Sequence, residues 1–482
     1  MAMSVAQAVP VSGQVVAANE FQTVRRFIQE GIDDGQAPSV AVAVVRQDQV
    51  IWAEGFGYAD LERKVPATPD SIYLLASVSK PITATGLMIL KDRGLIDLDA
   101  PANRYLREAK LRAYVGSADE ITLRRLANHT SGLPLHYSFF YNGVEPHPRD
   151  EAIRRYGFAA TRPGSEWLYS NLAFGVLEYI TGIVARRPWG EFMERELYDP
   201  LKMTRTSDRV RPGREADATM RYTRDVAGRF IPVQPYAFDH DGASAIWSSA
   251  NDLARFARMH MNDGELDGVR ILSVESARQM RVRSSNADRP GDKGNGIGWF
   301  VDEYFGRRSV SHTGGMPGVS TQLRLFPDTR TALVVLTNSD HGPFREKVVQ
   351  RIAEVLFPDG KAVEAEEKKE PETGAADFVG RWEGRIVHVD GDIRVNLEIE
   401  PSGAVKAQFG KAEPVPLKEV SFKGDRFTGW TEGRLRTQPS YHGPVKIELR
   451  LRRAGDRMTG IAVALVPDYF ALSHWAEMSL IK

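Results

Sequence analysis

Strand-forming sequence occurs twice in the first 360 residues, and the two blocks stand far apart. Ser39-Val40-Ala41-Val42-Ala43-Val44-Val45 and Val50-Ile51-Trp52-Ala53 make up the first, joined by a turn at Gln47-Asp48-Gln49. Short runs rich in β-branched residues between turn signals read as strands. The second block covers 297–301, 309–312, 320–326 and 332–338. Between the blocks, residues 100–260 read as mostly helical, with loops rich in Gly and Pro near 132–148 and 211–242. An amphipathic helix over 21–35, with Phe21, Val24, Phe27, Ile28 and Ile32 on one face, precedes the first block, and a helix over about 342–357 follows the second. Strands at both ends with helices between predict an α/β sandwich: an antiparallel sheet completed by both ends of the domain, flanked by helices and packed against an inserted all-helical region.

The chain has 482 residues, more than one core usually serves, so further domains are expected. Residues 361–376 form a charged stretch almost without apolar side chains, as a linker does. Beyond it, short runs such as Val395-Leu397-Ile399 and Val445-Ile447-Leu449-Leu451 alternate with turns such as Asp390-Gly391 and Gly455-Asp456. This pattern predicts a small all-β barrel or sandwich. The division is therefore 1–20, a flexible N-terminus; 21–360, the α/β domain; 361–376, the linker; and 377–482, the all-β domain. Ala6-Gln7-Ala8 has the form of a signal-peptidase site, which points to a signal-peptide remnant and to the periplasm or exterior rather than the cytoplasm. Basic and acidic residues number 63 each, so no global field draws the chain to nucleic acid or a membrane surface. No apolar run approaches the ~20 residues of a membrane span. Cysteine is absent, which excludes disulfides, thiolate metal sites and a cysteine nucleophile.

Chemistry concentrates at Leu74-Leu75-Ala76-Ser77-Val78-Ser79-Lys80-Pro81. Pro81 suits a first helical turn, so a helix is expected to begin around Ser77, with the serine at the positive end of the helix dipole. Positions i and i+3 share a face, which brings Ser77 and Lys80 together. A serine needs a proton acceptor to act as a nucleophile, and a lysine in a site that discourages its charge can assist. Ser-x-x-Lys alone is a loose pattern. Two further patches add to it. Tyr169-Ser170-Asn171 offers a phenol, which a nearby ammonium could convert to a general base or proton shuttle, and an amide that can hold the lysine. His312-Thr313-Gly314-Gly315, at the end of a strand, offers small residues against which substrate backbone can lie and an N–H for an oxyanion.

Other candidates carry less. His129 reads as a structural histidine bonded to nearby backbone. Tyr137, Phe139, Phe140 and Tyr141 read as an aromatic patch in a loop, either lining an acyl pocket or packing that loop. His240-Asp241 lacks companions at metal-ligand spacing, so no metal is assigned, and no cofactor. Gly294-x-Gly296-x-Gly298 does not open a helix after a strand, and no Gly-x-Ser-x-Gly elbow is present.

Ser77-x-x-Lys80, Tyr169-Ser-Asn171 and His312-Thr-Gly314, in that order, resemble the three motifs of the serine β-lactamase and penicillin-binding-protein superfamily, in the branch with class C β-lactamases, D-aminopeptidases and β-lactamase-fold esterases. The flanking Leu126-Ala127-Asn128-His129-Thr130-Ser131-Gly132-Leu133-Pro134 is similar too, and the likeness covers roughly 20–357. The resemblance implies a β-lactamase-like fold, Ser77 as acylated nucleophile, Lys80 assisting and Tyr169 as general base and proton donor. It implies that Asn171, His312, Thr313, Gly314 and Gly315 bind substrate, with the Ser77 and Gly315 N–H groups as oxyanion hole. One departure stands out. Penicillin-recognising members open the third motif with lysine, and here His312 stands there, as in esterases and aminopeptidases. The expectation is a serine hydrolase acting on a small-molecule or short-peptide ester or amide, with weak or no β-lactamase activity. An acyltransferase or a non-catalytic penicillin-binding sensor is the alternative. Phe378-Val379-Gly380-Arg381-Trp382 resembles the opening of lipocalin-like barrels appended to such enzymes, and homo-oligomers are left open.

Overall fold

A computed structural model describes residues 20–284, 294–361, 374–435, 437, 441 and 443–481. The possible signal remnant and most of the charged linker lie outside them. Helix α1 (Gln22–Asp33) leads into a hairpin of strands β1 (Ser39–Arg46) and β2 (Gln49–Asp60). The chain then leaves the sheet. It passes through helix α2 (Ser79–Asp92), strand β3 (Tyr137–Tyr141), helix α3 (Asn171–Ala185), strand β4 (Tyr236–Phe238) and helices α4 (Asp241–Ser244) and α5 (Ala250–Met261). It returns as strands β5 (Phe300–Tyr304), β6 (Arg307–Met316), β7 (Val319–Phe326) and β8 (Thr331–Thr337), followed by helix α6 (Gly342–Leu356). Strand β8 pairs antiparallel with β1, Val40 opposite Thr337 and Arg46 opposite Thr331. Both ends of the domain thus meet in one sheet of order β5-β6-β7-β8-β1-β2, with a two-residue strand at each edge. This is the expected α/β sandwich.

The period of two along β1 divides the core. Val40, Val42 and Val44 face α1 and α6, packing with Val24, Ile28, Val348, Val349 and Ile352. Ala41, Ala43 and Val45 face the inserted region, with Ile82 and Leu87 of α2 and Leu253 and Ala257 of α5. Phe21 stacks on Trp52 at 4.7 Å and closes the first layer. Among the described residues, no helix is long and apolar enough to cross a membrane.

The C-terminal strands are β9 (Gly380–Ile386), β10 (Ile393–Ile399), β11 (Val405–Phe409), β12 (Lys418–Lys423), β13 (Arg426–Gly433), β14 (Val445–Ala454), β15 (Arg457–Val466) and β16 (Phe470–Leu480). They pair in the order β11-β10-β9-β16-β15-β14-β13-β12. A short strand, Val415–Pro416, pairs with β11 and leads through Leu417 into β12, so the sheet nearly closes into a barrel. Its interior holds Trp382, Phe427, Ile447 and Leu449, and the Trp382 indole N–H donates to the Phe378 carbonyl at 2.8 Å.

The stretch Tyr137–Tyr141, expected as a loop, is a strand. Its backbone partners are distant in sequence: Tyr141 pairs with Tyr236 of β4, and Ser138 with Phe470 of β16. The Phe139 N–H donates to the Tyr469 carbonyl at 2.8 Å, and Ser473 Oγ to the Leu135 carbonyl at 2.9 Å. Tyr114 stacks on Trp475 at 4.7 Å, and Arg452 pairs with Glu166 at 3.0 Å. The barrel is therefore seamed to the inserted region along β3 and at Tyr114 and Glu166.

Candidate active site

Ser77 sits in a 3-10 turn, Ala76–Val78, that runs straight into α2 at Ser79. The α-helix thus starts two residues beyond the expected point, and the serine lies on its entry turn. Ala76 has φ +50°, a left-handed conformation that costs a non-glycine residue about 1–2 kcal/mol. The preceding residue is held from both sides: the Leu75 N–H donates to the Ile246 carbonyl at 2.8 Å, and the Leu75 carbonyl accepts from Thr321 Oγ1 at 2.6 Å. Strand β6 passes close by. A Cβ on Gly314 would lie 2.2 Å from the Leu75 oxygen and 2.3 Å from Thr321 Oγ1, so only glycine lets the strand approach. At Gly315 a Cβ would meet nothing within 4 Å.

Lys80, one turn further on, is completely buried. Its ammonium donates to Ser77 Oγ at 3.0 Å, Asn171 Oδ1 at 2.7 Å and the Ala243 carbonyl at 3.1 Å. None of these partners is a carboxylate. Burial therefore pulls the amine well below the ordinary lysine range. Asn171 is oriented in turn, its Nδ2 donating to the His136 carbonyl at 2.7 Å. It opens α3, whose cap is Ser170, the hydroxyl accepting from the Ala173 N–H at 3.3 Å.

Tyr169 lies with its ring 4.8 Å from the Lys80 nitrogen and hydrogen-bonds Ser77 through its hydroxyl. A nearby ammonium would lower the phenol, but here the balance runs the other way. Burial pushes the phenol upward, and the bond with Ser77 offsets this only in part. At neutral pH the Tyr169 phenol therefore keeps its proton, while burial biases Lys80 toward its uncharged form. His129 packs on Tyr169 with ring centroids 4.4 Å apart, and its Nδ1 accepts from the Ser170 N–H at 3.2 Å, the backbone-holding role expected of it. His312, on β6, stacks on Phe300 at 4.3 Å and stands 6.3 Å from the Tyr169 ring. Its Nδ1 donates to the Thr313 carbonyl at 2.8 Å.

In front of Ser77 opens a cavity of about 210 Å³. Asn171 and Gly315 border it; of the aromatic patch, Tyr137 and Phe139 also line it, while Phe139 and Tyr141 pack with Tyr236 and Phe238. Thr313 and Gly314 build the strand behind Gly315 rather than the cavity wall. Sequence reasoning missed three contributors: Ser244 from α4, His240, and Asp468 from the turn between β15 and β16. His240-Asp241 had been noticed only for metal ligation. Nothing near Asp468 signals the site, because its place depends on the seam with β3.

The sheet, the inserted helices and the Ser77–Lys80–Tyr169 constellation define a class, and the chain belongs to it: the Beta-lactamase family, whose model matches residues 24–357. Among curated relatives, Penicillin-binding protein 4* of Bacillus subtilis is 28% identical over 329 residues, spanning 64% of this chain and 70% of that protein. Protein flp of Staphylococcus aureus is 23% identical over 322 residues, spanning 66% of this chain and 62% of that protein. The fold is also that of the octameric penicillin-binding protein homologue from Pyrococcus abyssi, with TM-score 0.62, 22% identity and coverage of 95% of this chain and 99% of that one. EstCE1, described as a hydrolase with promiscuous acyltransferase activity, superposes with TM-score 0.61 at 20% identity, over 71% of this chain and 100% of that one.

Proposed function

We propose that the chain is a serine hydrolase that forms an acyl-enzyme on Ser77 and releases the acyl group of an ester or amide to water. The carrying observation is the Lys80 amine, buried without a carboxylate and 3.0 Å from Ser77 Oγ. In its uncharged form it takes the serine proton as Oγ attacks the substrate carbonyl. The Tyr169 phenol, kept protonated by burial, gives a proton to the leaving group and recovers one from Lys80. Asn171 fixes the lysine, and the N–H groups of Ser77 and Gly315 receive the oxyanion, each such donor contributing typically ~3–4 kcal/mol to the barrier. On this reading residues 21–360 are the catalytic unit, and 377–482 are an accessory domain that shapes the mouth.

Two features bear on the substrate. His312 supplies no fixed cation for the carboxylate of a penicillin, which argues against efficient β-lactam hydrolysis. Asp468 puts a carboxylate at the mouth, which favours a substrate carrying an ammonium, as an aminoacyl ester or D-aminoacyl amide does. A second reading, acyl transfer to an alcohol or amine, uses the same acyl-enzyme. The apolar wall of Tyr137, Phe139, Met316 and Pro317 gives such an acceptor a surface, and EstCE1 shares the fold. Intact-mass measurement across esters, D-aminoacyl amides and penicillins is expected to show acyl-Ser77 with the first two classes and none with Ser77→Ala. Full ester hydrolysis by Ser77→Ala would end the reading. Product analysis with competing alcohols separates hydrolysis from transfer.

A further inference from the structure

Next to this site lies a second buried polar group. Asp239 follows β4 and has no exposed surface. Both of its carboxylate oxygens accept from His136 Nε2 at 3.0 Å, and Oδ1 also accepts from His240 Nδ1 at 2.7 Å. Burial alone would push this carboxyl upward; the two histidines more than reverse that and hold it well below the usual carboxylate range. An ionised carboxylate only accepts, so Asp239 fixes two tautomers: His136 carries its proton on Nε2 and His240 on Nδ1. His240 Nε2 is then left unprotonated. The His240 ring borders the cavity that Ser77, Asn171 and Gly315 also border. The groups around it are Asp239 at Nδ1, the His136 ring at 5.7 Å, the Phe238 ring at 5.3 Å, and the Lys80 side chain.

We propose that His240 is the base of the second half-reaction, taking the proton from the nucleophile that attacks acyl-Ser77, with Asp239 and His136 as its positioning residues. The inference rests on the acyl-enzyme reading above. In the step, a water O–H bond breaks, its proton passes to His240 Nε2, and the oxygen bonds to the acyl carbon. The tetrahedral intermediate collapses, the bond from carbon to Ser77 Oγ breaks, and Oγ takes a proton from Tyr169. The proton on His240 is lost to solvent and Tyr169 regains one, so the enzyme is unchanged and one acid is formed. Burial pulls His240 down to about 4 despite Asp239, so it is in the basic form throughout the neutral range. Lys80 and Tyr169 serve the first half-reaction, and this assignment gives the incoming nucleophile a base of its own.

Two histidines and a carboxylate also match a zinc site in composition, and their ligand atoms lie within 4.8 Å of one another. The spacing argues otherwise. The donors stand 2.7–3.0 Å apart, whereas ligands of a tetrahedral zinc at its usual bond lengths stand about 3.3 Å apart. Both Asp239 oxygens are already used by N–H groups.

The test is steady-state hydrolysis of a 4-nitrophenyl ester by wild type, His240→Gln and His240→Asn, each checked for wild-type near-ultraviolet circular dichroism. Expected is a fall in kcat of about 10²-fold or more, the usual weight of a general base, with kcat/KM nearly unchanged and acyl-Ser77 accumulating by intact mass. Asp239→Asn should move in the same direction by reversing the tautomer. A parallel loss of kcat and kcat/KM, or no loss in the folded variants, would overturn the proposal. So would one zinc per purified chain with activity lost to a chelator. Failure of a fluorophosphonate to label wild-type Ser77 would instead overturn the acyl-enzyme reading itself.

Discussion

A lysine in a dry site is costly while it stays charged, and the hydrogen bonds it donates to Ser77, Asn171 and Ala243 recover only part of what water supplied. The pH consequence has a definite sign. The native pKa of Lys80 lies well below the ordinary 10.5. Between the two values the unfolded chain holds a proton that the native protein does not, so stability rises with pH across that window. Lys80→Met should lack this contribution: urea midpoints measured from pH 7 to pH 10 should climb less steeply than in wild type. The kcat/KM of wild type should fall only where Lys80 gains its proton, well below the ordinary lysine range, and a fall already near pH 10 would contradict the buried-amine account. The neighbouring glycines give a contrast. Gly314→Ala drives a Cβ into the Leu75 carbonyl and should lower stability by about 1–3 kcal/mol and block fluorophosphonate labelling. Gly315→Ala enters open space and should keep the wild-type melting temperature.

At the scale of elements, what the sequence discloses depends on how far apart the partners are. Ser77 and Lys80 are legible because one helical turn joins them, and Asn171 because it opens a recognisable apolar helix. The β1–β8 pairing follows from two apolar strands that have nowhere else to go. Strand β3 is hidden, since its residues sit among Gly and Pro and acquire a ladder only from Tyr236–Phe238 and Phe470–Ala471. Tyr169 was recognised, but not the direction of its titration, because burial belongs to the folded site and not to the motif. His240 stays obscure for the same reason: His136 is remote in sequence, and only β3 and β4 side by side bring it to the Asp239–His240 pair. The β15–β16 turn has its own prediction. Asp468→Asn should raise KM about 2–5-fold for an ammonium-bearing ester, the effect of a rim charge worth 0.5–1 kcal/mol, and leave an uncharged ester unaffected. Equal effects on both substrates would remove Asp468 from specificity.

At the scale of the whole molecule, the barrel and the inserted region are joined along one seam. Phe158, Ala160 and Trp475 are buried together across it, with Tyr114 stacked on Trp475. A chain ending at residue 360 should expose this patch. It should bind 1-anilinonaphthalene-8-sulfonate and melt several degrees below the full chain, and an unchanged melting curve would mean that the seam contributes no stability. Trp475→Ala should weaken the same contact by about 3–5 kcal/mol if the site does not collapse, seen as earlier loss of the inserted region in hydrogen exchange. The seam also has a consequence in time. Asp468 is encoded about 390 residues after Ser77. At the usual 5–20 residues per second of synthesis, roughly 20–80 s separate the two on the ribosome. For that interval the nascent polypeptide carries Ser77 and Lys80 while one wall of the cavity is still unmade, so on the proposed reading the capacity to react is translated before the capacity to choose.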